Sequence, residues 1–305
     1  MTDAKPITSA NKIHIDVSLV SQLIAMQFPQ WANLSIKPIA SSGWDNRTFH
    51  LGEHMLVRMP SGAEYEAQVE KEHRWLPKLA PQLPLPIPVP LAIGKPGEGY
   101  PLHWSIYQWL EGKTASIEDI VDLNNFATSL GRFLTTLQDI DSTGGPPPGL
   151  HSFYRGGLLT TYDTETRQAI TALKGQIDAD AATEIWEAAI ATTWDQPLVW
   201  VHGDISIGNL LVQDGQLSAV IDFGQLTIGD PACDLAIAWT LFKDTSRDAF
   251  RSALLLDDAT WARGRGWALW KALIVCAELH GTNRPEIENA RKIIGTILSN
   301  YKLDN

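Results

Sequence analysis

Apolar residues recur along the chain with two periods, and the period changes from segment to segment. After Asp16, an N-cap residue, Val17, Val20, Leu23, Ile24 and Phe28 fall at helical spacing and predict a first helix. Residues 34–40, 47–51 and 55–59 read as strands joined by the turns 41–46 and 52–54, an antiparallel meander. Residues 63–79 return to helical spacing and are rich in glutamate. Pro81, Pro84, Pro86, Pro88 and Pro90 then alternate with apolar residues, an extended path leading into an edge strand. Residues 102–110 form the next strand.

From there the chain turns helical. Ser116-Ile117-Glu118-Asp119 has the form of a capping box, opening a helix with Ile120, Leu123, Leu130, Phe133, Leu134 and Leu137 along one face. Residues 144–149 are a loop of glycine and proline, and helices are expected near 160–174 and 181–192. Three short strands follow at 197–201, 210–212 and 217–221, then a helix over 235–242. Two last helices occupy 257–303, broken at 281–285.

The length of 305 residues fits one large domain or two lobes. A formal charge of −11 argues against non-specific nucleic-acid binding and is compatible with a cationic substrate. Cys233 and Cys276 are the only cysteines and have no metal-ligand spacing, so neither a zinc site nor a disulfide framework is expected. No apolar stretch is long enough to span a bilayer, and the first twelve residues lack a signal-peptide core. The expectation is a cytoplasmic protein with no membrane partner. Trp239 and Trp270 fit helical apolar faces and are assigned to the core.

The stretch 200–222, WVHGDISIGNLLVQDGQLSAVID, carries the candidate chemistry. It sets Asp204, Asn209 and Asp222 at the ends of short strands, where their oxygens can converge. Hard oxygen ligands of this kind suit Mg2+. A strand–turn–strand hairpin with incidental polar ends is the competing account, and the ordered set of polar residues on these strands disfavours it.

The pattern His202-Gly203-Asp204, four residues, Asn209, and then Asp222-Phe223-Gly224 resembles the catalytic core of the aminoglycoside phosphotransferase family, small-molecule relatives of protein kinases. The resemblance implies an α+β, two-lobed, protein-kinase-like fold. An N-lobe of antiparallel sheet plus helix over 1–110 binds nucleotide; a mainly helical C-lobe over 111–305 carries the catalytic loop and the acceptor-binding helices. It implies Asp204 as the base and Asn209 and Asp222 as metal ligands, with ATP (or GTP) and Mg2+ as cofactors. By position Arg58 contacts the phosphates, with Glu72 as its partner and Glu70 as second choice. Most of the family has lysine where Arg58 stands, and the two cations are not interchangeable. Ser42 and Gly43 lie in the turn that folds over the phosphates, and the backbone of Gln108 and Leu110 in the hinge that pairs with adenine. Asp234 is expected to accept backbone N–H bonds near the catalytic loop, and His202 to be packed rather than catalytic.

Only twelve positions separate Asp222 from Asp234, too few for a peptide-docking activation segment, so no protein substrate is expected. The resemblance points to a small-molecule hydroxyl acceptor of the aminoglycoside type and to antibiotic resistance. Glu278 and Glu286 fit a polycation, whereas Arg263, Arg265 and Lys271 do not. A macrolide or another hydroxylated metabolite would use the same catalytic parts. A nucleotide-binding pseudokinase and a metal-dependent hydrolase are the readings from other classes.

Overall fold

The structure, a computed structural model, describes residues 14–39, 45–279 and 283–304. It divides into two compact units, Met1–Ala80 with Pro88–Leu110, and Pro81–Ile87 with Glu111–Asn305.

In the first unit, helix α1 (Val17–Gln27) starts where Asp16 Oδ1 accepts the Leu19 N–H at 2.9 Å. Its buried face, Val20, Leu23 and Ile24, packs against Phe49, Leu51, Val57, Met59, Trp104 and Ile106 of the sheet. The five strands are β1 (Ile36–Pro38), β2 (Asn46–Leu51), β3 (Met55–Pro60), β4 (Pro90–Gly94) and β5 (Trp104–Gln108). They run antiparallel in the order β1-β2-β3-β5-β4. The proline-containing strand β4 is therefore at an edge, where a missing N–H leaves no ladder bond unmade. Successive side chains on a strand point to opposite faces. Val57 and Met59 go into the core, so Arg58 between them emerges on the other face, where helix α2 (Glu66–Leu79) packs on β4 and β5. A 3-10 turn, Ala63–Tyr65, precedes α2, so the α-helix begins three residues later than the periodicity predicts.

In the second unit, β6 (Lys113–Thr114) joins the hairpin of β8 (Leu210–Gln213) and β9 (Gln216–Val220). Asp214 and Gly215 both have positive φ, 52° and 76°, the geometry that lets a two-residue turn follow the strand twist. Strand β7 (Val199–Val201) is not a neighbour of that hairpin; it pairs with β10 (Thr227–Gly229). Helix α3 begins at Leu123 and runs to Asp139, not from Ser116. Ser116 Oγ donates to Asp119 Oδ2 at 2.8 Å instead of capping a backbone N–H, and Lys113 bonds the same carboxylate. Ile120 is then extended, and Asp122 is the N-cap, accepting from Asn124 and Asn125. Phe126, Leu130, Phe133, Leu134 and Leu137 still form the buried face, so the periodicity located the stripe and misplaced only its start.

Helices α4 (Asp163–Ala172) and α5 (Ala179–Ile190) precede β7, and α6 (Ile237–Thr240), α7 (Asp244–Ser252), α8 (Asp258–Cys276) and α9 (Arg284–Asp304) complete the unit. Helix α7 was not anticipated: it is only nine residues long and buries just Ser246 and Phe250. It lies close to α3 at Gly131, where a Cβ would sit 2.6 Å from that of Ala253. Trp239, Trp270, Cys233 and Cys276 are all buried, both cysteines as free thiols. Among the described residues no helix is long and apolar enough to cross a membrane.

Arg263 is interior. Its Nε donates to Asp230 Oδ2 at 2.7 Å and its Nη2 to Asp230 Oδ1 at 3.3 Å, with further bonds to Thr192 and Thr260. Asp230 in turn caps the turn Pro231–Ala236 through the Ala232 N–H. Removing one partner of a buried ion pair strands the other, a cost of about 3–5 kcal/mol. Arg263→Met is therefore expected to lose roughly that much in urea unfolding, with most of it recovered in Arg263→Met/Asp230→Leu. Equal losses in the single and double variants would show that the pair is not what holds α8 to this turn.

Candidate functional site

The chain leaves β7 through His202, Gly203 and Asp204, and a buried carboxylate fixes its course. Asp234 Oδ2 accepts the His202 N–H at 2.8 Å, and Oδ1 accepts the Gly203 N–H at 2.8 Å. Burial pushes the Asp234 carboxyl up, and these two backbone donors oppose that shift. Gly203 has φ +88°, and a Cβ there would lie 2.7 Å from the Gln225 carbonyl oxygen. Only glycine fits this turn.

His202 is wholly buried. The Asp204 N–H donates to its Nδ1 at 3.2 Å, so the ring proton is on Nε2, which donates to the Ile221 carbonyl at 3.1 Å. Burial lowers its pKa, keeping the ring neutral. It is packed and hydrogen-bonded, as the sequence indicated.

Asp204 is bonded by the amide of Asn209, which follows five residues later in the 3-10 turn Ile207–Asn209. Asn209 Nδ2 donates to the Asp204 carbonyl at 2.8 Å and to Asp204 Oδ2 at 3.0 Å. Both amide hydrogens are spent on Asp204, which leaves Oδ1 to face a cation. The Ile221 N–H donates to the Asn209 carbonyl at 2.9 Å and ties this turn to the end of β9, where Asp222 follows. Asp222 is held at φ +66°, an uncommon conformation for a residue with a side chain and one that concentrates at functional sites. Burial pushes the Asp204 carboxyl above its usual range. The Arg155 charge opposes that shift, Asp222 reinforces it, and the Asn209 bond and Lys271 oppose it. Two mutually repelling carboxylates beside an amide oxygen form a donor set that suits Mg2+. Among the described residues no cluster of three His, Cys, Asp or Glu is placed to hold a metal ion.

In the first unit, Arg58 Nη1 donates to Glu72 Oε1 at 3.3 Å and Oε2 at 3.4 Å, while Nη2 lies 3.9 Å from Asp45 Oδ2. The Tyr107 hydroxyl donates to Glu72 Oε2, and the guanidinium carbon is 5.8 Å from the Tyr107 ring centroid. Glu72 is buried and Glu70 exposed, so Glu72 is the partner. A cavity of about 10 Å³ adjoins Arg58, lined also by Asn46, Gln68, Glu72, Ser105 and Tyr107. At the end of β5 the Gln108 N–H is donated to the Val89 carbonyl at 3.0 Å, so that donor is spent within the unit. Leu110 follows just beyond, half-buried. Ser42 and Gly43 lie outside the described residues.

One residue that sequence patterning missed is Arg155. Its Nε donates to Gln225 Oε1 at 3.2 Å, and its guanidinium carbon lies 4.9 and 4.8 Å from the ring centroids of Trp267 and Trp270. Its Cβ is 3.2 Å from where a Gly203 Cβ would fall, which places it against the loop that follows β7. Phe153 and Tyr154 before it, and Gly156 after it, all have positive φ, and this turn carries Arg155 to Gly203. Of the carboxylates assigned to a polycation, Glu286 instead closes a reciprocal cap at the start of α9: Asn283 Oδ1 accepts its N–H at 3.0 Å, and its Oε2 accepts the Asn283 N–H at 3.3 Å. Glu278 sits just past the end of α8 with φ +57°.

Comparison with known proteins bears on this geometry. The sequence model of the phosphotransferase enzyme family matches residues 35–267. An aminoglycoside 3'-phosphotransferase of Escherichia coli is 35% identical over 65 residues, 21% of this chain and 24% of that protein, so the chain spans about a quarter of this curated relative's length. Among solved structures, the GDP and kanamycin complex of APH(2")-IIia superposes with a TM-score of 0.71 at 17% identity, covering 92% of this chain and 98% of that one. A macrolide 2'-phosphotransferase type I gives a TM-score of 0.60 at 19% identity, covering 91% and 97%. At these identities the likeness is one of fold, and it bears out the α+β, kinase-like class expected from the motifs. The family match runs from the first strand of the sheet through Asp204, Asn209 and Asp222 and into α8, and the chain belongs to the phosphotransferase enzyme family.

Proposed function

We propose that this protein transfers the γ-phosphoryl group of ATP or GTP to a hydroxyl of a small molecule. The observation that carries the reading is the bonded pair Asp204–Asn209 with Asp222 beside it. In this account the first unit serves the nucleotide, with Arg58 contacting its phosphates and Glu72 and Tyr107 holding Arg58 in place. The backbone at Gln108 and Leu110 lines the nucleotide without the Gln108 N–H, which Val89 takes, and Ser42 and Gly43 are assigned to the phosphates from the sequence alone. The second unit carries the chemistry. Asp204 orients the acceptor hydroxyl and receives its proton as the oxygen attacks phosphorus in line with the departing β–γ bridging oxygen. Asn209 Oδ1 and the Asp222 carboxylate would hold Mg2+, which would supply charge neutralisation on the phosphates. Little covalent chemistry is asked of the protein, and positioning and charge stabilisation carry the rate.

The acceptor is a hydroxylated small molecule. An aminoglycoside-like antibiotic is the reading the E. coli relative favours, and a macrolide or another hydroxylated metabolite would use the same parts. A nucleotide-binding pseudokinase is disfavoured because Arg58 keeps its Glu72 partner and all three polar residues of the catalytic loop are in place.

Two sets of variants separate the roles. Asp204→Ala is expected to lower kcat by about 10²–10⁴-fold, the usual worth of a positioned proton acceptor, with nucleotide affinity by calorimetry nearly unchanged. Asp222→Ala is expected to weaken nucleotide binding itself, and only when Mg2+ is present. Wild-type turnover by Asp204→Ala would remove Asp204 from the chemistry. Asp234→Ala touches no reacting atom but strands two buried N–H groups, each worth about 1–3 kcal/mol. It is expected to lower both unfolding stability and kcat; full activity at reduced stability would mean that the loop holds its course without it.

A further inference from the structure

Two cations, Arg155 beside Gly203 and Lys271 on α8, act on Asp204, and the phosphotransfer reading as stated gives neither of them a task. Arg155 is set by the indole faces of Trp267 and Trp270 and by Gln225. Lys271, one residue past Trp270 on α8, has its Nζ 5.9 Å from the Trp270 ring centroid. Both charges act on Asp204 and on each other. Among the described residues neither makes an ion pair within 4.0 Å, and Arg155 Nη1 is buried without a hydrogen-bond partner. The indole N–H of Trp267, under the guanidinium, is a second buried donor with no acceptor there.

The acids that act on Lys271 are Asp204, Glu165 and Glu286, and each also carries a hydrogen bond of its own. Glu165 accepts the indole N–H of Trp270, Glu286 closes the cap of α9, and Asp204 is bonded by Asn209. Asp222 is the other acid that acts on Asp204, and the proposed reaction gives it to Mg2+. Arg155 keeps a buried donor to spare, and Lys271, open to solvent near the same Trp270 ring, is free to turn toward an anion that arrives there. A planar guanidinium beside an ammonium is a donor set that fits phosphate or carboxylate oxygens.

We propose that Arg155 and Lys271 form an oxyanion subsite facing Asp204, which takes a phosphoryl or carboxylate group. Two sources share that chemistry. The group is either the phosphoryl in transfer, which the pair would stabilise, or an anionic substituent of the acceptor near the reacting hydroxyl. In both cases the pair repels an acceptor ammonium from the ground next to Asp204. The inference rests on the phosphotransfer reading for its catalytic meaning, but its binding test does not.

The test uses inorganic phosphate as the probe, titrated into the full chain and followed by tryptophan fluorescence, for which Trp267 and Trp270 are adjacent reporters. Saturable phosphate binding by the wild type is expected, weakened at least tenfold in Arg155→Met and in Lys271→Met, with MgADP affinity unchanged. Arg155→Lys keeps the charge and is expected to recover part of the loss; Lys271→Met carries the test if Arg155→Met does not fold. The titration is repeated with ADP and with the β,γ-imido analogue of ATP. If the analogue excludes phosphate where ADP does not, the transferring phosphoryl occupies the subsite. If phosphate binds alongside the analogue, the occupant is an acceptor anion. No saturable binding to the wild type, or equal binding to Arg155→Met/Lys271→Met, would overturn the proposal. A wild type that binds phosphate through this pair but no Mg–nucleotide would sink the phosphotransfer reading and leave the subsite standing.

Discussion

The second unit depends on one buried carboxylate accepting two backbone N–H groups. Asp234 holds His202 and Gly203 at 2.8 Å each, and these bonds bend the chain sharply out of β7. Everything that follows is fixed by that bend. The turn needs a left-handed residue against the Gln225 carbonyl, which only glycine supplies. The neutral His202 ring then bridges the Asp204 N–H to the Ile221 carbonyl, joining the end of β7 to the end of β9. Two strands that belong to different sheets thus deliver Asp204 and Asp222 to one place. A carboxylate bound by backbone donors in a dry site is a rigid part, and rigidity is what a catalytic group needs from its support.

The first unit achieves a similar precision by alternation. With Val57 and Met59 drawn into the core under α1, Arg58 has only the opposite face to occupy, and the buried Glu72 meets it there. The Tyr107 hydroxyl fills a further lone pair of that glutamate. An arginine suits this setting, because Nη1 alone reaches both oxygens of Glu72 and leaves Nη2 near Asp45.

Much of this was legible in the sequence because the relevant signals are local. The spacing of Asp204, Asn209 and Asp222 and the strands beside them sit within one short stretch, and the helical stripe of α3 is a periodicity. The start of α3 was misread because Ser116 meets Asp119 through its side chain rather than through the backbone, a choice made by Lys113 on β6. Arg263 looked like a charge of the substrate region and is instead the buried partner of Asp230. Glu286 looked like a ligand for a polycation and is a capping residue. Arg155 could not be read at all, since its meaning comes from indoles more than a hundred positions away. Interactions that depend on distant partners leave no local pattern, and these are the ones that would decide the acceptor.

The account turns on the chemistry at Asp204, and the direct test is transfer of labelled γ-phosphate. Wild type and Asp204→Asn would be given MgATP or MgGTP with pools of cationic, neutral and anionic hydroxylated small molecules, and phosphomonoester formation followed by phosphorus NMR. The account predicts a new phosphomonoester from one pool, formed only by the wild type and only with Mg2+. Tight nucleotide binding with no transfer to any pool, or equal transfer by Asp204→Asn, would contradict it.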